Sequence, residues 1–266
     1  LHRRCLHACR ERITLLAPFA APLASAGFAV RAPDLPGYGL SRQSGDHPVD
    51  YAEWVQLVAE LADEAATRGP VFLFGLSVGG LLSVFAAQKA RRVAGVIATT
   101  LIDLREPETV LRVVRARWIG RLALLAFRFG GSWLRKMALP LALALPIETL
   151  TTDRVLARML LRDPLVGRRR VPLELFRSMH QYHAPRPDYV LPCPLLLVHP
   201  GADAWTPTAL SLRIFERIEG PKTLVTLTNG AHGPFESPAY AELCQATLHF
   251  IERVSAATLP QANLRG

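Results

Sequence analysis

The run Val71-Phe72-Leu73-Phe74-Gly75-Leu76-Ser77-Val78-Gly79-Gly80 decides how the rest of the chain is read. Four apolar residues in a row predict a buried strand. A Gly-x-Ser-x-Gly pentapeptide follows, and then an apolar-periodic helix from Leu81 to Ala90. Strand, tight turn and helix are the context that gives this pentapeptide chemical meaning. The turn is expected to hold Ser77 in a strained backbone conformation, with crowding excluding side chains at Gly75 and Gly79. It lifts the Ser77 hydroxyl above the sheet and aims the first N–H groups of the helix at whatever the hydroxyl attacks. Taken alone, the pentapeptide is equally readable as a glycine-rich turn with an incidental serine. The flanking sequence has to choose.

Upstream, Arg12 to Ala26 carries Leu15, Leu16, Phe19 and Leu23 on one helical face, and Gly27 ends it. Phe28 to Ala32 predicts a short strand that runs into the turn-rich loop Pro33 to Ser41. Asp50 caps the next helix, with Glu53 three residues on, and its apolar face is Trp54, Leu57, Val58, Leu61 and Ala65. Gly69-Pro70 stops it. Beyond the serine, Val93 to Thr99 is an all-apolar strand. Strands apolar on both faces and alternating with helices predict a mostly parallel sheet with helices on each side, an α/β fold.

The rhythm stops after Asp103. Residues 104–189 show helical periodicity, many arginines, scattered prolines and no convincing strand, and read as an inserted helical cap. Strands resume at Leu195 to His199 and Thr223 to Thr228. Helices follow from Thr208 to Glu219 and from Pro238 to about Ala256, the last with Tyr240, Leu243, Leu248 and Ile251 inward. The expected organisation is a core made of residues 1–103 and 190–266 around a cap of 104–189.

The 266 residues, half of them apolar, suffice for a sizeable core. No repeat or low-complexity tract occurs. The longest uncharged apolar run in the middle, Met137 to Ile147, is far short of the roughly 20 residues of a membrane span, and Pro140 and Pro146 interrupt it. The formal charge of +9 is mostly arginine. It fits nucleic acid, a membrane surface, an acidic substrate or simply an arginine-rich composition. A nucleic-acid module with stacking aromatics is not recognisable. Cys5, Cys9, Cys193 and Cys244 contain no Cys-x-x-Cys pair. Cys5 and Cys9 with His2 and His7 lack a second ligand cluster, so no metal and no cofactor are expected. Cys193 and Cys244 read as buried thiols. Reduced cysteines without a secretory signal point to the cytoplasm. The chain starts on leucine, and Leu1-His2-Arg3-Arg4 looks like neither a signal core nor a full strand, as in a fragment or an unusual start.

A serine hydroxyl needs a base to take its proton, usually histidine, and that histidine needs a carboxylate to fix its tautomer and stabilise its cation. In parallel α/β sheets such groups gather at the carboxyl ends of strands. Asp203 lies in the loop after Leu195–His199, and His232 in the loop after Thr223–Thr228. The chain order is Ser77, Asp203, His232, as the strand–Ser–helix motif requires. Asp103, after the preceding strand, is the rival acid. Asp203 also fits ordinary turn chemistry, and His232 a structural histidine. His180, His183 and His199 read as surface, cap or supporting residues.

With these motifs together the sequence resembles the α/β-hydrolase superfamily, and within it the lysophospholipase and monoacylglycerol-lipase-like serine esterases. Asp34-Leu-Pro-Gly-Tyr-Gly-Leu-Ser41 resembles the loop after that family's fourth strand. Gly75 to Gly79 resembles its nucleophile turn, Gly201-Ala-Asp203 its acid loop and Gly230-Ala-His232-Gly its histidine loop. The resemblance covers roughly residues 6–103 and 190–256. It implies that fold without its first strands, a Ser77–His232–Asp203 triad and an oxyanion hole. One N–H of the hole would come from Val78, the other from a loop usually beginning His-Gly. Its counterpart here is His7-Ala8, so Ala8 or Cys9 would supply the second donor. Losing one such donor costs on the order of 100- to 1,000-fold in rate, so a shortened start predicts reduced activity. Trp205 and Phe235, which flank the triad loops, are expected in the pocket wall or the core.

A serine nucleophile excludes the aspartate-based dehalogenases and epoxide hydrolases of the superfamily and leaves acyl transfer. Fourteen basic and six acidic side chains lie between Asp103 and Arg170, a surplus that is nearly the whole net charge. Trp118, Ile119, Leu122, Leu125, Phe129, Trp133 and Leu134 sit among them in a basic amphipathic pattern. That pattern suits an anionic lipid surface, or a helix whose charged face is solvated and whose apolar side covers the active site. Small-molecule, lipid-like acyl esters are the leading substrate. A serine-dependent amidase, aminopeptidase or carbon–carbon hydrolase is the alternative, and an aminopeptidase would need a cap carboxylate such as Glu148 or Glu174. A non-catalytic binding protein on the same fold is the other alternative.

Overall fold

A computed structural model describes residues 16–38, 41, 50–131, 133–134, 137–184 and 189–258. The first helix, α1 (Ala17–Ser25), has Pro18 in its first turn, where a missing N–H costs nothing, and is followed by Gly27 at φ +92°. The part of the expected helix before residue 16 lies outside the described residues. Residues 28–32 are not a strand. The segment is largely exposed, Phe28 included, and no described strand pairs with it. A strand is stabilised by ladder partners and a covered face, and the described residues give this apolar run neither.

Helix α2 (Tyr51–Ala65) starts at Asp50, whose carboxylate accepts from the Ala52 N–H at 2.7 Å. Its buried stripe is Tyr51, Trp54, Val55, Ala59 and Ala62, rotated from the expected one. Leu57, Leu61 and Ala65 are only partly buried. The helix packs against α3 (Val78–Lys89), and small side chains at 59 and 62 let the two approach.

Strands β1 (Phe72–Gly75) and β2 (Gly95–Ala98) follow the predicted runs, with α3 between them. The segment between β2 and the next core strand holds α4 (Pro107–Val113), α5 (Arg117–Phe129), β3 (Ala138–Pro140), α6 (Leu141–Ala144), a 3-10 turn (Ile147–Leu150), α7 (Arg154–Arg162), β4 (Arg170–Pro172) and α8 (Leu173–His180). The expectation of no strand there is corrected. β3 and β4 pair antiparallel, Leu139 opposite Val171. They are three residues long and carry a proline each, too short and too broken for an alternating pattern to register. The chain then returns through β5 (Leu195–Pro200), α9 (Thr208–Arg217), β6 (Lys222–Leu227) and α10 (Ala239–Thr258).

The described sheet has the order β1-β2-β5-β6, all parallel. Alternate residues face opposite layers. Val96, Ala98, Leu195 and Leu197 pack with α2, α3 and α9. Ile97, Leu196 and Val198 pack with Phe19 of α1 and with Leu243, Phe250, Ile251 and Val254 of α10. Tyr240 and Leu248, expected inward on α10, are only partly buried. Leu141, Leu150, Leu160, Val171, Leu175 and Met179, from the segment between β2 and β5, join the α2–α3 side of the core. The same segment also reaches the loops after β5 and β6, where Trp205 Nε1 donates to Val113 O at 2.6 Å and Gly233 N–H to Leu150 O at 2.8 Å. No helix among the described residues is long and apolar enough to cross a membrane.

Candidate active site

Ser77 stands where β1 turns into α3, at φ 57° and ψ −126°. That conformation is costly for a residue with a Cβ. Its surroundings hold it there. Gly79 N–H bonds to Leu76 O and Gly80 N–H to Ser77 O, both at 2.9 Å, and the Ser77 N–H reaches Thr99 Oγ1 at 3.3 Å. The requirement for glycine falls at positions 75 and 80. A Cβ on Gly75 would lie 2.0 Å from the Gly79 carbonyl oxygen, and one on Gly80 2.0 Å from that of Thr100. The expectation at Gly79 is corrected, because a Cβ there meets nothing within 4 Å. The helix presses on β1 and on the end of β2 through residues 75 and 80, and Gly79 faces open space. Val78 is the first residue of α3, so its N–H has no acceptor within the helix.

The acid and histidine loops leave the sheet side by side. Gly201 N–H bonds to Leu227 O and Ala202 N–H to Gly230 O, each at 2.9 Å. The loops carry Asp203 and His232 to the serine. His232 Nε2 is 2.7 Å from Ser77 Oγ, and His232 Nδ1 is 2.8 Å from Asp203 Oδ2. Both side chains are essentially inaccessible to solvent. Asp203 Oδ1 accepts the backbone N–H groups of Trp205 and Thr206, each at 2.8 Å. Burial works to raise the Asp203 carboxyl. The bonds from His232 and Thr206 and the charge of the imidazole outweigh it and hold the group below the usual carboxylate range. An anionic carboxylate on Nδ1 leaves Nε2 as the acceptor facing the serine proton.

The rival acid is otherwise engaged. Asp103 is bridged by Arg105, with Nη2 2.8 Å from Oδ2 and Nε 3.0 Å from Oδ1, and it also accepts from the Tyr189 hydroxyl. Arg105 bonds the same hydroxyl at 2.7 Å. Burial pushes the Asp103 carboxyl up, and these partners overcome it and hold it low.

Trp205 lies against the imidazole, ring centroids 4.5 Å apart, and its indole N–H reaches Val113 O of α4 at 2.6 Å. Phe235 packs on Phe19 at 5.4 Å, on the α1 and α10 side of the sheet. Ala8 and Cys9, like Cys5, His2 and His7, lie outside the described residues. Cys193 is buried, and burial pushes its thiol up to about 12; Cys244 is only partly buried. His180 takes Leu104 O at 2.7 Å and stacks on Phe127, His183 is exposed, and His199 is fully buried. A narrow cleft, lined in part by Leu81, Phe85, Ile102, Arg105 and Met179, reaches Val78 beside the serine.

Residues 4–238 match the family model described as "Serine aminopeptidase, S33", which spans most of the chain. The chain belongs to this family of α/β hydrolases. It is an enzyme of the hydrolase class. The chain is 28% identical over 229 residues to a pimeloyl-[acyl-carrier protein] methyl ester esterase of Neisseria meningitidis serogroup A, covering 83% of this chain and 67% of the relative. Two solved structures share its fold. A monoacylglycerol lipase of Paleococcus ferrophilus has a TM-score of 0.69 at 24% identity, over 92% of this chain and 91% of that one. DcsB in complex with its substrate analogue has a TM-score of 0.68 at 20% identity, over 92% and 87%.

Sequence reasoning missed two features of the hydrolase site. One is Thr206, buried against Asp203 and His232. Its signal is present, since it stands three residues after Asp203, the spacing at which an aspartate caps a following N–H. The other is the cleft. Its walls come from α2, α3, α8 and the start of the segment after β2, which no local pattern joins.

Proposed function

We propose that the protein hydrolyses carboxylic esters, with small lipid-like acyl esters as substrates, through Ser77 as nucleophile, His232 as general base and acid, and Asp203 as the carboxylate that orients His232. The observation that carries this reading is the unbroken hydrogen-bonded row Asp203–His232–Ser77, with the serine held at positive φ on a strand-to-helix turn. His232 Nε2 takes the Ser77 proton as Oγ attacks the ester carbonyl. The tetrahedral oxyanion is stabilised by the Val78 N–H and by a donor near Ala8. The alcohol leaves with the proton from His232, and water repeats both steps on the acyl-enzyme. In this reading the acyl chain enters past Val78, where the cleft walled by Leu81, Phe85, Ile102 and Met179 has to widen to take it. The relative from Neisseria, by its name a methyl ester esterase of pimeloyl-[acyl-carrier protein], supports a carboxylic ester as substrate.

Residues 104–189 act in this proposal as a cap over a core of 1–103 and 190–266. The cap also supplies a contact for anionic membrane. On α5, Trp118, Leu122, Leu125 and Phe129 recur at spacings that form one stripe. The stripe is exposed, 63% at Trp118 and 72% at Phe129, while Gly120 and Phe127 face inward. Arg117, Arg121 and Arg128 run along its flank. The free thiols Cys193 and Cys244 support a cytoplasmic site of action. Nucleic acid is not a partner in this reading.

The aminopeptidase reading has the family description in its favour. It needs a carboxylate for the substrate ammonium. Glu148 is held by Arg115 at 2.6 and 2.7 Å, and Glu174 by Arg177 at 2.9 Å, so both proposed carboxylates already have cations. Fluorophosphonate labelling tests the mechanism: wild type labels and Ser77→Ala does not. Absence of labelling in folded wild type would leave the non-catalytic binding reading. Turnover of p-nitrophenyl acyl esters, with aminoacyl anilides inert, is expected; the reverse preference gives the aminopeptidase. Phosphatidylglycerol-containing vesicles should sediment the protein better than pure phosphatidylcholine, and equal sedimentation would remove the membrane contact.

A further inference from the structure

Asp203 has more partners than a serine–histidine–carboxylate row requires. Oδ1 accepts two backbone N–H groups, and Oδ2 accepts both His232 Nδ1–H and the Thr206 hydroxyl, the latter at 2.5 Å. The same Thr206 Oγ1 is 3.0 Å from His232 Nδ1. Its one proton goes to the carboxylate, so a lone pair of Oγ1 faces Nδ1–H. Carboxylate, hydroxyl and imidazole close a three-membered ring of hydrogen bonds. Thr206 is fully buried, so water does not compete for these bonds. Its backbone N–H is fixed by Asp203 Oδ1, and Pro207 restricts it from the other side.

We propose that Thr206 is a positioning residue for His232, setting the tilt of the imidazole at Nδ1 and sharing the carboxylate charge that the imidazole feels. This rests on the hydrolase reading above. The sharing has a direction. A hydrogen bond donated to Oδ2 draws charge from the oxygen that stabilises the imidazolium. With the hydroxyl present, less of the carboxylate charge is directed at the imidazole. Without it, the carboxylate holds the imidazolium more strongly, and the ring loses one of its two partners at Nδ1.

Other ionisable groups near His232 are few among the described residues. His199, at the end of β5, is turned to Pro200 O at 2.9 Å, and burial holds it below the ordinary histidine value. Glu236, on the histidine loop, accepts the Thr152 N–H at 2.8 Å. Asp103 and Arg105 beside the cleft neutralise each other. None of these contacts involves the Thr206 hydroxyl.

The experiment is the pH dependence of kcat and kcat/KM on a p-nitrophenyl acyl ester for wild type, Thr206→Val, Thr206→Ser and Ser77→Ala. Thr206→Val conserves shape and removes the hydroxyl. Its kcat should fall about tenfold with KM little changed, and the acid limb of kcat/KM should move up by about half a pH unit or more. Thr206→Ser should stay within about twofold of wild type with its acid limb in place. Wild-type kcat in Thr206→Val, or a lowered kcat with an unmoved acid limb, overturns the proposal. So does a tenfold loss in Thr206→Ser, which remains decisive if Thr206→Val fails to fold. Ser77→Ala separates the two levels. Retained turnover in that variant defeats the hydrolase reading, whereas an inert Ser77→Ala beside an unaffected Thr206→Val defeats the role of Thr206 alone.

Discussion

Gly75, Gly79 and Gly80 lie within one helical turn of Ser77, and a methyl group added at each should have a different effect. At Gly80 it would stand 2.0 Å from Thr100 O and 3.1 Å from the Ala98 Cβ. Comfortable separations are about 3.5 Å, so α3 would have to move off the end of β2 by more than an ångström. One obstacle is a backbone carbonyl just past β2 and the other a Cβ of β2 itself, so neither can swing aside. Gly80→Ala should therefore cost about 3 kcal/mol, the upper part of the range for an overpacked core. Gly75→Ala should do likewise, against the Gly79 carbonyl. Gly79→Ala meets open space in the first turn of α3. There alanine reduces the freedom of the unfolded chain and favours the helix, a gain of about 0.4–1 kcal/mol. At about 2–4 °C per kcal/mol for a chain of this size, the melting temperature should rise by about 1–4 °C in Gly79→Ala and fall by about 6–12 °C in Gly80→Ala. Calorimetry of the three variants reads both signs. A fall in Gly79→Ala as large as that in Gly80→Ala would refute the account of how the turn is packed.

Ser77→Gly relieves the positive φ at the turn, so it should melt about 2–6 °C higher while losing all fluorophosphonate labelling; an unchanged melting temperature would mean that the conformation stores no strain. Asp103→Asn leaves Arg105 without its buried counter-charge and should cost about 3–5 kcal/mol, yet the labelling rate of the folded variant at Ser77 should match wild type. Loss of labelling without loss of fold would instead make Asp103 the acid. Asp103 and Asp203 both sit below their ordinary value of 3.8 in the folded protein. Their contribution to stability is complete above that value and disappears as pH falls through the lower folded values. Acid unfolding should accordingly steepen below about pH 4, and Asp103→Asn should flatten it. Leu125→Glu places a negative charge in the exposed α5 stripe and should reduce sedimentation with phosphatidylglycerol vesicles without changing turnover of a soluble ester; undiminished sedimentation would exclude α5 as the contact.

What was legible in the sequence is what short stretches decide by themselves. β1, the turn at Ser77 and α3 are contiguous, and their glycines, apolar run and helical period all agree. β5 could be read because it is an unbroken buried run, and β6 because its apolar and β-branched residues stand between Gly220-Pro221 and Asn229-Gly230, even though only Leu227 is buried. The approach of Asp203 and His232 to Ser77 followed from one general rule, that parallel strands deliver their carboxyl ends to the same edge. Where the reading went astray, the deciding contact lies on another part of the chain. Phe28 to Ala32 is apolar enough for a strand, but ladder partners make strands, and none of the described strands lies beside it. On α2, periodicity identified an amphipathic helix and chose the wrong face, since it rewarded Leu57 and Leu61 for size. Close packing on α3 favoured Ala59 and Ala62 instead.

The same distinction explains the partners of the candidate triad. Asp103 and Asp203 are equivalent in the sequence, each an aspartate just past a buried strand. They differ in what arrives from elsewhere. Tyr189 comes back from the far end of the inserted segment to join Arg105 on Asp103, and this cluster fixes the point where the chain leaves β2. His232 and Thr206 meet on Asp203. A carboxylate can be saturated by only a few donors, so a choice of partners is also a choice of role. One aspartate, neutralised by an arginine, holds two parts of the fold together. The other, bonded to donors that carry no fixed charge, keeps its negative charge available to the imidazole of His232. In the proposed mechanism Asp203 accordingly serves the chemistry and Asp103 the architecture, although each is an aspartate just past a buried strand.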